Sequence, residues 1–145
     1  MTELNLPSFE SNIKNENGQQ VIFDIIRKKF LVLTPEEWVR QHFVHFLINH
    51  HNYSKSLINC EQSLTYNGRS KRSDILVYDK EAKPFLLIEC KAPDVKLNQG
   101  VVEQVSVYNS EIGAPYVLIT NGLKMFCCEI NKEGIVQLKN IPQPN

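Results

Sequence analysis

Apolar and polar positions along the chain switch between two periods, and the switches mark the elements. Residues 20–26 and 30–33 are short runs rich in branched and aromatic residues, which predicts two strands joined by the basic turn Arg27-Lys28-Lys29. At Thr34-Pro35-Glu36-Glu37 the pattern becomes helical. Thr34 is a good N-cap, Pro35 suits the first helical position, and Glu37 stands three residues after the cap, as a capping box requires. Val39, Phe43, Phe46 and Leu47 then form one stripe, and the helix is expected to stop around 50–53. Strands are predicted next at 57–66, 74–78 and 85–91, with Asn67-Gly68 as a turn signal and Pro93 ending the third. Residues 98–112 read as a second helix, with a stripe through Val101, Val105 and Tyr108 or through Val102, Val105 and Ile112, and with Gly113 just beyond its end. Strands at 115–120 and 124–130 flank the hairpin signal Asn121-Gly122, and 135–138 adds an edge strand.

Two short strands, a helix, three strands, a helix and two or three strands predict an α/β fold, a central sheet with helices packed on it. A chain of 145 residues suits one domain with a real core, assigned to 19–140. Residues 1–18 are polar and Asn-rich with little periodicity, and are expected to be a loose arm or a surface-docked extension. Residues 141–145 are expected to fray.

Charge and cysteines narrow the function. The formal net charge is zero, which argues against a non-specific polyanion coat; any nucleic-acid contact has to come from a local patch. No apolar run is long enough to cross a bilayer, and the start of the chain lacks the basic-then-apolar order of a signal peptide, so the expectation is a cytoplasmic protein with no membrane contact. Cys60, Cys90, Cys127 and Cys128 form no CxxC pair, and Cys90, Cys127 and Cys128, in predicted strands, are expected to be small buried hydrophobes. His42, His45, His50 and His51 lack an accompanying HExxH set and read as surface or helix-end residues, and Trp38 as a core or staple residue.

The candidate chemistry lies in two neighbouring predicted strands, Ser73-Asp74-Ile75-Leu76-Val77-Tyr78 and Phe85-Leu86-Leu87-Ile88-Glu89-Cys90-Lys91. An apolar strand ending in a carboxylate and an ammonium is costly unless the charges are paired or bind a metal. Glu89 and Lys91 are two apart and share one strand face. Asp74 on the neighbouring strand could complete a small oxygen cage for a divalent cation. Gln104 and Tyr108, four apart, share a face of the second helix. Glu36 lies on the side of Val39, Phe43 and Leu47, whereas Glu37 points round the helix and serves the cap. Arg40 follows Glu36 by one turn and could pair with it or with a phosphate. Arg27-Lys28-Lys29 and Arg69-Ser70-Lys71-Arg72 read as solvated turns, the second of interest because it leads into Asp74, where a phosphate backbone would pass.

An aspartate, then Glu-x-Lys at a strand end, then Gln-x-x-x-Tyr on the next helix, resembles the PD-(D/E)xK nuclease superfamily. More closely the chain is similar to the N-terminal nuclease-like domain of type I restriction enzyme R subunits. The phrases that carry the resemblance are 33–41 (LTPEEWVRQ), 71–75 (KRSDI), 88–93 (IECKAP), 104–109 (QVSVYN) and 120–122 (TNG). Ser73 stands where the superfamily pattern has proline, and no GxxxxGK[ST] loop is present. The resemblance implies a restriction-endonuclease-like core with a mixed central sheet, and a Mg²⁺-dependent endonuclease acting on DNA phosphodiesters, with Mn²⁺ as a substitute ion. It implies that Asp74, Glu89 and the Cys90 backbone carbonyl hold the metal, and that Lys91 orients the attacking water or stabilises the charge of the transition state. Gln104 and Tyr108 would touch the lysine or the nucleic-acid backbone, Glu36 would sit at the metal or behind it, and Arg40, Lys71 and Arg72 would meet phosphates. The implied partners are DNA and either a second copy in a homodimer or the subunits of a restriction complex. Two other readings share the fold: a nucleic-acid-binding module without turnover, and a partner-binding scaffold.

Overall fold

The structure, a computed structural model, describes the backbone of residues 1–66 and 69–144, and the side chains of all of these outside 61–73. The Asn67-Gly68 turn and the side chains of Lys71 and Arg72 therefore lie outside the described residues.

Three antiparallel strands, β1 (Ile13–Glu16), β2 (Gln19–Asp24) and β3 (Lys29–Val32), make a small sheet. β2 and β3 match the expected strands; β1 falls within the segment expected to be an arm. The turn after β2 is built by Asp24, whose Oδ1 accepts from the N–H groups of Ile26 (2.8 Å) and Arg27 (3.0 Å), an Asx-type arrangement.

Helix α1 (Pro35–His50) starts as its sequence dictates: Thr34 Oγ1 accepts from the Glu37 N–H at 3.0 Å, and Pro35 occupies the first turn. Its buried face carries Val39, Phe43, Val44 and Leu47, while Phe46 is half-buried. The main sheet has six strands in sequence order: β4 (Ile58–Tyr66), β5 (Arg69–Tyr78), β6 (Pro84–Cys90), β7 (Tyr116–Thr120), β8 (Met125–Asn131) and β9 (Gly134–Leu138). Every pair is antiparallel except β6 with β7, which are joined through α2 (Gln99–Asn109) as a parallel pair requires. The sheet is therefore mixed, as expected.

Alternation along the central strands divides the core. Ile75, Val77, Leu86, Ile88, Cys90 and Leu118 pack with α1, whereas Leu76, Leu87, Val117 and Ile119 pack with Val102, Val105 and Tyr108 of α2. Cys90, Cys127 and Cys128 are buried free thiols, and Cys60 is half-buried. No described helix is long and apolar enough to cross a membrane.

Both chain ends are held. The first residues take the docked one of their two expected arrangements: Leu4 is buried, the Asn5 N–H donates to the Gly122 carbonyl (2.8 Å), and the Trp38 indole donates to the Thr2 carbonyl (2.9 Å). Gly122 has φ +84°, and a Cβ there would come within 2.7 Å of the Leu4 side chain, so the turn admits Leu4 only because it lacks one. Phe9 packs on Trp38, His42 and His45, which turns His42 into a buried residue rather than a surface one. At the other end Ile141 is buried and the Tyr53 hydroxyl donates to the Pro142 carbonyl (2.5 Å), so the tail does not fray at these residues.

Candidate functional site

The described β5–β6 ladder runs to the pair Ile75 and Ile88, the chain neighbours of Asp74 and Glu89. Beyond that pair the Cys90 N–H donates to the Asp74 side chain, reaching Oδ2 at 2.7 Å. The Lys91 N–H donates to the Thr120 carbonyl (2.8 Å), which fixes the backbone just past β6 against the end of β7. Glu89 and Lys91 thus stand at the carboxyl ends of the one parallel pair, the side on which open α/β sheets bind their ligands. The Lys91 ammonium lies 3.2 Å from Glu89 Oε1, with the side chains 33% and 19% exposed.

Helix α1 brings the rest of the charge. Arg40 is buried and its fork serves three carboxylates: Nη2 donates to Asp74 Oδ1 at 2.6 Å and to Glu36 Oε1 at 3.2 Å, and Nη1 donates to Glu37. Spacings of three and four on one helix face make the two pairings within α1 possible. Glu37 is buried, and its second oxygen accepts from Gln41 Nε2 at 2.8 Å. The expected division between the two glutamates is therefore reversed: Glu37 lies inside, and Glu36 is the half-exposed one at the rim. Arg40, expected to pair with Glu36 or a phosphate, pairs with Glu36 and is turned inward, because two buried carboxylates hold it. Arg27 leaves its expected solvated turn in the same way, with Nε 2.7 Å from Asp24 Oδ2 and Nη2 3.5 Å from Glu37 Oε1. Sequence offered one clue to this network, the i, i+3 and i, i+4 spacing of Glu36, Glu37 and Arg40; nothing local marked Asp24 or Arg27.

Two other expected site residues lie on α2. Gln104 is exposed on α2, and no hydrogen bond or ion pair among the described residues joins it to Asp74, Glu89 or Lys91. Tyr108 is buried with Val102 and Val105.

Burial and neighbouring charge set the electrostatics. Burial raises the Glu89 carboxyl, as does the Asp74 charge, and Lys91 offsets only part of this, leaving it at about 7. Glu36 is also raised, by burial and then by Asp74, against the pull of Arg40 and Lys91. Burial works against the Arg40 charge, but Glu37 and Asp74 outweigh it and hold the guanidinium above its ordinary value.

Residues 35–142 match the family described as the type I restriction enzyme R protein N terminus. The chain belongs to this family. Among solved structures, a fragment attributed to an HsdR subunit of a type I restriction enzyme from Vibrio vulnificus YJ016 superposes with a TM-score of 0.59 at 20% identity, over 77% of this chain and 24% of that chain. At that identity the likeness is one of fold, and this chain spans about a quarter of the fragment's length. No curated protein matches the sequence. The R protein N-terminal family places the chain in a restriction-enzyme context and accounts for the α/β layout around β5 and β6.

The donor set of this R protein N terminus suits a hard cation in composition. Asp74, Glu89, Glu36, Glu37 and Asp24 lie among Arg27, Arg40 and Lys91, five carboxyl groups to three cations among the described side chains, with Glu89 and Glu36 held back from ionising. Oxygen donors whose ionisation a nearby cation would favour fit Mg²⁺. They do not form a ready cage: among the described residues no three His, Cys, Asp or Glu side chains converge as a metal-holding group. Asp74 accepts from Arg40 on one oxygen and from Cys90 on the other, but each carboxylate oxygen has a second lone pair to offer.

Proposed function

We propose that this chain is a Mg²⁺-dependent nuclease domain that hydrolyses DNA phosphodiesters as part of a type I restriction R subunit, in the cytoplasm. The observation that carries the reading is that Asp74 is hydrogen-bonded to the Cys90 N–H, between Glu89 and Lys91 and their ion pair, at the end of β6 in a chain of this family. Asp74, Glu89 and the Cys90 carbonyl are the groups that would hold Mg²⁺ or Mn²⁺. The ion, when bound, would polarise the phosphodiester and make a water more acidic.

The protein's own groups do the remainder. Lys91, tethered to Glu89 and fixed through Thr120, would hold the attacking water or offset the charge that grows on the phosphoryl oxygens as the P–O bond breaks. Glu89, raised to about 7, can change protonation near neutrality. Glu36, half-exposed and paired to Arg40, would steady the rim of the site. Gln104, exposed on α2, would contact DNA, with the buried Tyr108 behind it on the same helix, and Lys71 and Arg72 would meet the phosphates that pass before Asp74. A second copy of the chain, or a neighbouring subunit of a restriction complex, would supply the cut in the other strand.

One observation favours a second reading, a nucleic-acid-binding module without turnover: Arg40 already neutralises Asp74. A cleavage assay on duplex DNA with Mg²⁺ decides between them. The nuclease reading expects cutting by the parent and a loss of at least about 100-fold in Lys91→Ala with the fold retained, the scale on which removing one preorganised charge-stabilising group acts. DNA binding with no metal-dependent cutting supports the module instead.

A further inference from the structure

Arg27 lies before the residues that match the family, on a three-stranded sheet separate from the one that carries Asp74 and Glu89. Even so, a continuous line of opposite charges joins the two sheets. Asp24 holds Arg27 Nε at 2.7 Å, Arg27 Nη2 lies 3.5 Å from Glu37 Oε1, Glu37 accepts from Arg40 Nη1, and Arg40 Nη2 reaches Asp74 Oδ1 at 2.6 Å. Asp74 Oδ2 then takes the Cys90 N–H at 2.7 Å. Asp24, Glu37, Arg40 and Asp74 are each at most 8% exposed, and the Arg27 side chain is 14% exposed. A buried ion is costly unless its partners are well placed, so each member of such a line confines the next.

We propose that Arg27 is a positioning residue of the site: acting through Glu37 and Arg40, the turn between β2 and β3 fixes the side chain of Asp74. Three features of the geometry carry this. Arg27 reaches two carboxylates from two nitrogens of one planar fork, a geometry that the point charge of a lysine does not reproduce. Glu37 is fixed on both oxygens, by Arg40 and by Gln41, so it transmits a displacement rather than absorbing it by rotating. Asp74 is held by just two described hydrogen bonds, from Arg40 and from Cys90, so losing the Arg40 geometry leaves a single tether. The effect on metal binding rests on the reading of Asp74 as a ligand given above; the effect on Asp74 itself does not. Groups that orient a metal-binding carboxylate commonly change metal affinity by about 10- to 100-fold when altered.

The test compares the parent with Arg27→Lys, and with Lys28→Met as a control at the exposed neighbour in the same turn. The Cys90 amide reports the far end of the line through its resonance position and its hydrogen-exchange rate. Mn²⁺ titration by calorimetry reports the site. The expected result for Arg27→Lys is a displaced Cys90 resonance, faster exchange at that amide and Mn²⁺ binding weaker by about tenfold, with Lys28→Met unchanged in all three. A folded Arg27→Lys protein whose Cys90 amide coincides with the parent's and exchanges at the same rate overturns the inference, whatever the metal does. A displaced amide with undiminished Mn²⁺ affinity overturns it too, since Asp74 would then move without consequence for the site. If the parent takes up no Mn²⁺ while the amide responds, the line of charges stands and the metal reading falls. Glu37→Gln, close to isosteric, interrupts the same line with the same expected signs and replaces Arg27→Lys if that variant does not fold.

Discussion

Glu89 is held where ionisation is difficult, and that has an opposite consequence for stability and for function. Its folded value of about 7 lies above the ordinary carboxylate value of 4.5. Between those two pH values the folded chain keeps a proton that the unfolded chain releases. The associated stability is fully present below about 4.5 and is lost as pH rises through about 7, on the order of 3 kcal/mol without metal. Glu89→Gln, which cannot ionise, should therefore melt above the parent at pH 8 in chelator and lose the difference near pH 4.5. A Glu89→Gln protein that melts below the parent at pH 8 contradicts the electrostatic account. The same substitution should remove any Mn²⁺ response. Asp74, Glu89 and Lys91 were legible in the sequence because charges ending an apolar strand demand a reason. Glu37 and Arg27 were not, because a glutamate in a first helical turn and an arginine in a basic turn each have an ordinary solvated role. Only partners distant in the chain show that these two face inward.

At the scale of elements, the strands and helices were legible wherever an apolar run or a capping signal was strong, as at Thr34-Pro35 and at 85–90. β1 was not, since Ile13-Lys14-Asn15-Glu16 holds one apolar residue and is exposed throughout. Where the N-terminal segment docks was not legible for a related reason: Leu4 and Phe9 are apolar residues without a period, and their pockets are made by Gly122 and by the α1 histidines. Leu4→Ala should cost about 2 kcal/mol or more by denaturant unfolding, as for other buried leucines. A change within about 0.5 kcal/mol would place the segment outside the cooperative unit. His42 and His45 are lowered, chiefly by burial, so their stability contribution is present above pH 6.5 and is lost as pH falls through their folded values. Hydrogen exchange at residues 2–9 should accordingly accelerate on acidification from pH 7 to pH 5, relative to that at β6; an unchanged ratio to β6 would argue against this histidine-dependent docking.

Across the whole molecule, the two core layers set the central strands, and the middle of β5, the end of β6 and the first turns of α1 bring the charges of the site together. The excess of carboxyl groups over cations there, with Glu89 and Glu36 held back from ionising, gives the domain a reason to prefer a divalent ion in its folded form. Mg²⁺ or Mn²⁺ at about 100 times its dissociation constant should stabilise the parent by about 2.7 kcal/mol and leave Asp74→Ala unmoved. Melting curves with and without the ion measure this. The central claim, that Asp74 and Glu89 share a cation, is tested most directly by anomalous diffraction from a crystal soaked in Mn²⁺. The account predicts a peak within ligand distance of both carboxylates and of the Cys90 carbonyl; a peak absent there, with Arg40 still holding Asp74 and Mn²⁺ bound elsewhere on the molecule, would contradict it.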